Sequence, residues 1–128
     1  MGAMIGELQC IVIDCPVPRE LAEFYRGLLG GQVNRRDGRW LLDDVWSTLH
    51  TEGGTILCFQ RVTGYQPPAW PDPRRPQQFH IDLAVGDLDK AETEVLDLGA
   101  RLLDSGGGKR SWRVYADPAG HPFCLVRH

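Results

Sequence analysis

In "FHIDLAV", residues Phe79 to Val85, an imidazole and a carboxylate stand two places apart within an apolar strand pattern. Residues i and i+2 of a strand share a face, so Asp82 can orient His80 or hold its charge. Such a pair suits a hydrogen-bonded core position, contact with a ligand, or proton transfer by an oriented imidazole. Four cysteines, Cys10, Cys15, Cys58 and Cys124, lie far apart without a CxxC pairing, which excludes a dithiol redox motif and short zinc-finger spacing. Free thiols are expected, and buried ones behave as small hydrophobes.

Four tryptophans, Trp40, Trp46, Trp70 and Trp112, are a large aromatic supply for 128 residues. They predict a slot that stacks a planar ligand between ring faces, with Arg61, Arg113 and Tyr115 as its polar contacts. "DSGGGKRS" invites a phosphate-loop reading and fails it. The first glycine of that spacing is missing, Arg110 stands where a hydroxyl residue should bind Mg²⁺, and strand signals follow instead of a helix.

Composition removes other classes. The formal charge is -3 and no Lys/Arg run exceeds two residues, so nucleic acid is not an expected partner. Arg35-Arg36, Arg74-Arg75 and Lys109-Arg110 read as solvated loop charge. No apolar stretch is long enough to cross a bilayer, and "MGAMIGELQC" lacks the regions of a signal peptide, so a cytoplasmic protein without a membrane partner is expected. Gly6 stands where myristoylation wants Ser or Thr, and "GAM" reads as an expression remnant.

The elements that must position these residues come in one order, written twice. Leu8 to Asp14 is an apolar, β-branched run, and Pro16 and Pro18 end it before a helix. Leu21, Phe24, Tyr25 and Leu28 form that helix's apolar stripe, and Gly30-Gly31 stops it. Phe79 to Val85 repeats the strand, Asp87 or Asp89 caps the second helix, Ala91, Val95 and Leu98 form its stripe, and Gly99 is the stop. Asp37-Gly38 predicts a two-residue hairpin turn, with strands following at 46–50 and 56–61. "ARLLDSGGGKRSWRVYAD" reads as strand, turn, strand, and "HPFCLVRH" as a closing strand.

Both halves are therefore β-α-β-β-β, an α+β domain with module one at 6–62 and module two at 78–128. The stretch 63–77 contains five of the nine prolines and reads as a connection that covers a pocket edge with Tyr65 and Trp70. Set side by side, Cys10 falls opposite His80, Trp40 opposite Trp112, and "TILCFQR" opposite "HPFCLVR", pairing Cys58 with Cys124.

The duplicated pattern, with "DCPVPRELAEFYRGLLGG", "PQQFHIDLAVGDLDKAETEVLDLGA" and "VYADPAGHPFCLV", resembles the glyoxalase, bleomycin-resistance and extradiol-dioxygenase superfamily, also called vicinal oxygen chelate. The resemblance implies paired modules whose sheets curl into a half-open barrel, commonly in a homodimer. It also implies metal-ligand positions on the first and last strand of each module, which here carry Cys10, Cys58, His80 and Cys124. Cys124 replaces the usual carboxylate, and His121 replaces the usual Asn of the preceding turn. One imidazole and three thiols cannot serve a hard metal that wants oxygen, whereas Cys₃His suits a closed structural zinc site.

Taken together, these residues predict metal-independent binding or sequestration of a small, largely apolar or aromatic molecule, as in drug-resistance members of the superfamily, with no cofactor. Cys10, Trp40, Trp46, Cys58, Arg61, Trp70, His80, Trp112, Tyr115 and Cys124 are the expected contacts. The alternative is a glyoxalase-like lyase or isomerase in which His80, helped by Asp82, moves a proton next to a carbonyl. A structural or regulatory dimer with a vestigial cavity is a third class.

Overall fold

A computed structural model describes residues 4–127. Residues 1–3, which hold most of the expected expression remnant, lie outside the described residues. Backbone contacts divide the chain into two compact units, Met1–Thr63 and Gly64–His128. Unit one contains β1 (Ile11–Cys15), α1 (Pro18–Leu29), β2 (Gln32–Val33), β3 (Trp46–His50) and β4 (Ile56–Arg61). Unit two contains β5 (Ile81–Val85), α2 (Leu88–Asp97), β6 (Arg101–Asp104), a short 3₁₀ turn at Gly106–Gly108, β7 (Trp112–Ala116) and β8 (Pro122–Arg127).

Each unit folds its strands into one open sheet, in the orders β1-β4-β3-β2 and β5-β8-β7-β6. The first and last strands of each module pair in parallel, and the others antiparallel. The predicted duplication is therefore a duplication of topology.

Each helix forms for the local reasons visible in its sequence. Val17 is extended and Pro18 opens α1, where its missing N–H costs nothing. Leu21, Ala22, Phe24 and Tyr25 bury one face of α1 on the sheet. Tyr25 stacks on Phe59 at 6.0 Å between ring centroids and meets Phe24 edge-on at 5.1 Å. Each large side chain buried in this way contributes roughly 1.5–3 kcal/mol.

Gly30 and Gly31 end the helix with positive φ of 69° and 101°. At Gly31 a Cβ would sit 1.9 Å from the His50 carbonyl oxygen, so only glycine lets the chain pass this close to β3.

Asp87 caps α2 by accepting from the Lys90 backbone N–H at 3.1 Å, which resolves the choice between two candidate caps. Leu88 and Val95 are its buried residues. Leu98, expected in the stripe, is 43% exposed because the helix ends at Asp97 and the chain has already turned away.

The segment after α1 departs most from expectation. Asp37-Gly38 makes no hairpin, and β2 is only two residues long. Instead Asp37 accepts from the Arg39 backbone N–H at 3.0 Å and pairs with its guanidinium at 2.6 Å. A side-chain clasp has replaced the strand ladder that a hairpin needs.

In unit two the turn before β8 is built by Asp117, which is buried and accepts from the backbone N–H groups of Ala119 and His121 at 2.9 and 3.0 Å. The Pro-rich stretch packs on this turn. Tyr65 donates its hydroxyl to the Ala119 carbonyl at 2.7 Å and lies 3.1 Å from His121 Nε2.

Candidate functional site

Strand pairing sorts the side chains onto two faces. In unit two, Asp82 lies beside Cys124, and Cys124 beside Val114. His80 is two residues before Asp82 and falls on the same face. His80 Nε2 is 3.1 Å from Asp82 Oδ1, so one carboxylate does orient the imidazole. Both side chains are partly exposed, at 37% and 58%, whereas Cys124 is buried. The donor atoms of His80, Asp82 and Cys124 all lie within 4.8 Å of one another.

Two further groups complete this face. Asp104 pairs with Val114 in the β6–β7 ladder, and Arg110 approaches Asp104 at 3.0 Å. The Arg110 guanidinium also lies 4.5 Å over the Trp112 ring. Nη2 is the atom that pairs with Asp104, while the buried Nε makes no hydrogen bond among the described residues. Burial pushes the Cys124 thiol up to about 11, with the Asp82 charge acting the same way and the Arg110 charge opposing. Cys124 is thus a neutral thiol near pH 7.

The same register brings together a different set in unit one. Val12 lies beside Cys58, and Cys58 beside Thr48. Burial first and the neighbouring Cys10, two residues before Val12, second push the Cys58 thiol up to about 12. Trp46, Thr48 and His50 share this face by alternation along β3. His50 Nε2 reaches Asp37 Oδ2 at 3.4 Å. Arg39 lies 4.5 Å over Trp40, whose ring meets His50 edge-on with centroids 6.3 Å apart. Trp46 Nε1, Thr48 Oγ1 and His50 Nδ1 are buried without a hydrogen-bond partner among the described residues.

The duplicated register confirms two of the side-by-side matches and corrects one. Cys10 corresponds to His80 and Cys58 to Cys124, each at the same place in its ladder. Trp112, however, corresponds to Trp46, since each pairs with the residue two beyond the central cysteine. Trp40 lies in the irregular segment before β3 and resembles Trp112 only in carrying a guanidinium on its ring.

Four expected contacts are placed elsewhere. Tyr115 is fully buried on the opposite face of β7, where its hydroxyl donates to Glu92 Oε1 of α2 at 2.8 Å. Arg113 shares that face and holds Asp89 at 2.7 Å and Glu92 at 3.4 Å. Both tie helix to sheet. Arg61 is exposed at the end of β4, on the face of Leu57 and Phe59 rather than that of Cys58. Trp70 is half-buried in a compact turn closed by Ala69 and Arg75 backbone hydrogen bonds.

Sequence reasoning missed Arg110 as an aromatic partner, read Asp37 as a turn residue, and gave Thr48 and His50 no role beyond the strand at 46–50. The alternation "WSTLH" was the available signal for Thr48 and His50.

A metal is testable against these donors. Mg²⁺ and Mn²⁺ do not fit, because Asp82 is the one carboxylate in the clustered trio and hard ions want oxygen. Zinc fits by ligand type, held by His80, Asp82 and a Cys124 that has given up its proton, and would act as a Lewis acid. The clustered trio differs from the Cys₃His set in carrying one thiol and one carboxylate.

Comparison with known proteins adds a family. The model of the glyoxalase-like domain matches residues 10–126. No curated protein matches. A glyoxalase/bleomycin resistance protein/dioxygenase family enzyme from Burkholderia phytofirmans PsJN superposes with a TM-score of 0.70 at 16% identity, covering 95% of this chain and 98% of that one. Fosfomycin resistance protein FosX from Mesorhizobium loti gives 0.64 at 13% identity, covering 96% and 92%. A possible glyoxalase from Bacillus cereus gives 0.64 at 13% identity, covering 96% and 99%. At these identities the likeness is one of fold.

Proposed function

This chain belongs to the glyoxalase-like domain family, and from that premise we propose that it binds a small, flat, oxygen-bearing molecule on the open face of module two, without a metal. The observation that carries this reading is Arg110, a cation lying on Trp112 that pairs with Asp104 through Nη2 while its buried Nε makes no hydrogen bond among the described residues. An aromatic ligand can stack on the remaining surface of Trp112, which is 40% exposed. Its oxygen would meet the guanidinium, and Val114 with the protonated Cys124 would form an apolar floor. Sequestration needs this combination of ring surface and a few polar anchors, and no reactive group.

Fluorescence titration against a panel of planar natural products and fosfomycin tests it. Quenching is expected in the wild type and should weaken at least about tenfold in Arg110→Gln, the loss of one charge-assisted hydrogen bond. No quenching across the panel, or equal quenching in Arg110→Gln and Trp112→Leu, refutes the site.

One observation favours a second reading, a lyase or isomerase. Asp82 holds the Nε2 side of His80 at 3.1 Å, which leaves the lone pair of a neutral imidazole on Nδ1. Nδ1 would take a proton from a carbon next to a carbonyl and return it to the neighbouring carbon. Arg110 offers a positive charge for the enolate oxygen. Turnover of a methylglyoxal adduct that is lost in His80→Ala supports this chemistry, and unchanged turnover removes His80 from it.

A further inference from the structure

Cys10 and Cys58 are a thiol pair set by the register of one sheet. β1 and β4 run parallel with Val12 beside Cys58, and Cys10 falls on the same face, two residues before Val12. Cys15, at the other end of β1, lies beside Arg61 and points to the opposite face. Strand alternation therefore selects Cys10 over Cys15 as the partner of Cys58.

The two thiols differ in access. Cys58 is fully buried, whereas Cys10 is half-buried. Burial and then Cys10 push Cys58 up to about 12, so it stays a neutral thiol. Cys10 is the one that meets a reagent from solvent. A cation stands near both. Arg39, raised first by its Asp37 partner, is raised further by the two thiols, and its charge opposes the upward push on Cys58. A partly exposed thiol beside a positive charge and a second cysteine is the setting in which oxidation is selective.

Reach decides whether the pair can bond. Diagonal neighbours on adjacent strands start about 7–8 Å apart between Cα atoms, and a disulfide wants about 4.4–6.8 Å. Cys10 must therefore move toward β4 by about 1 Å. It is placed to do so, because residues 4–10 belong to no helix or strand and Met4, Ile5 and Leu8 are exposed.

We propose that Cys10 and Cys58 form a reversible disulfide, in which a hydroperoxide oxidises Cys10 and Cys58 resolves it. The Cys10 thiolate attacks the terminal peroxide oxygen and the O–O bond breaks. Cys10 becomes a sulfenic acid, and the departing alkoxide or hydroxide takes up the proton that Cys10 released. The Cys58 sulfur then attacks the Cys10 sulfur, the S–O bond breaks, and hydroxide leaves as water with the Cys58 proton. Two electrons pass from the thiol pair to the peroxide, and a thiol reductant reverses the change by exchange. Because burial keeps Cys58 protonated, the second step is slow and the sulfenic acid lives long enough to be trapped.

The test is hydrogen peroxide in small excess over the full, reduced chain near neutral pH, read by intact mass and peptide mapping. The monomer should lose two hydrogen atoms and yield a Cys10–Cys58 linked peptide, and dithiothreitol should restore it. Dimedone present with the peroxide should label Cys10, and more fully in Cys58→Ala, where nothing resolves the sulfenic acid. Cys10→Ala should leave Cys58 unoxidised over the same time. Arg39→Gln should slow the labelling of Cys10 at least about threefold, the loss of one nearby positive charge. A bridge to Cys15 or Cys124, a cross-link between chains, no dimedone on Cys10, oxidation of Cys58 in Cys10→Ala, or an unchanged rate in Arg39→Gln would each overturn the proposal.

Discussion

Raising the pH from 8 to about 10 should destabilise this protein through two thiols, by an amount that follows from their burial. Cys58 and Cys124 have ordinary values of 9.0 and are pushed up to about 12 and about 11 in the folded chain. A raised acid keeps its proton when folded and gives it up when unfolded. Its contribution to stability is therefore complete below pH 9 and lost as pH rises toward the folded values. At pH 10 the unfolded thiol has ionised and the folded one has not, which amounts to about 1.4 kcal/mol for each, or about 3 kcal/mol for the pair. Urea unfolding at pH 8, 9 and 10 under reducing conditions measures the slope. Cys58→Ala and Cys124→Ala lower the starting stability by cavity formation, but each should flatten the pH dependence by about half of the thiol contribution. Variant slopes parallel to the wild type would refute the claim that these thiols are held neutral by burial.

Tyr115→Phe removes a hydrogen bond to Glu92 and should lower stability by about 1–2 kcal/mol in urea unfolding while leaving ligand quenching unchanged. A change in ligand affinity without loss of stability would return Tyr115 to the site. Gly31→Ala places a methyl against the His50 carbonyl oxygen and forces a positive-φ position on alanine. It should cost about 3 kcal/mol or more, read as loss of the cooperative unfolding transition or a much lower Tm. Metal analysis of protein purified without added metal decides between metal-free binding and zinc at His80, Asp82 and Cys124. Stoichiometric zinc, lost in Cys124→Ala, would overturn the metal-independent reading.

The order of elements was legible because its signals are local. β3 and β4 occupy 46–50 and 56–61 as the apolar runs predict, and Asp87 caps α2 as a side chain three residues before a free N–H should. The central pairing of Cys58 with Cys124 followed from the repeat, and so did Cys10 with His80. The faces were only partly read. Strand alternation alone separates Trp112 from Arg113 and Tyr115, yet neighbours in sequence were expected to share a slot. The helix α2 offers Asp89 and Glu92 to those two residues, and that demand is invisible without the packing.

What the amino-acid order determined by itself was a β-α-β-β-β unit written twice, since periodicity, caps and glycine stops act over a few residues. Only the folded chain decided how residues 35–42 lie, because no ladder holds them and side-chain contacts with distant β3 place Asp37, Arg39 and Trp40. The same holds for Arg110. Nothing in "GGGKRSW" says that its guanidinium will settle on Trp112 beside Cys124. That position results from three consecutive positive-φ glycines, a close approach of Gly106 to the Arg110 side chain, and a charge on Asp104 across the turn.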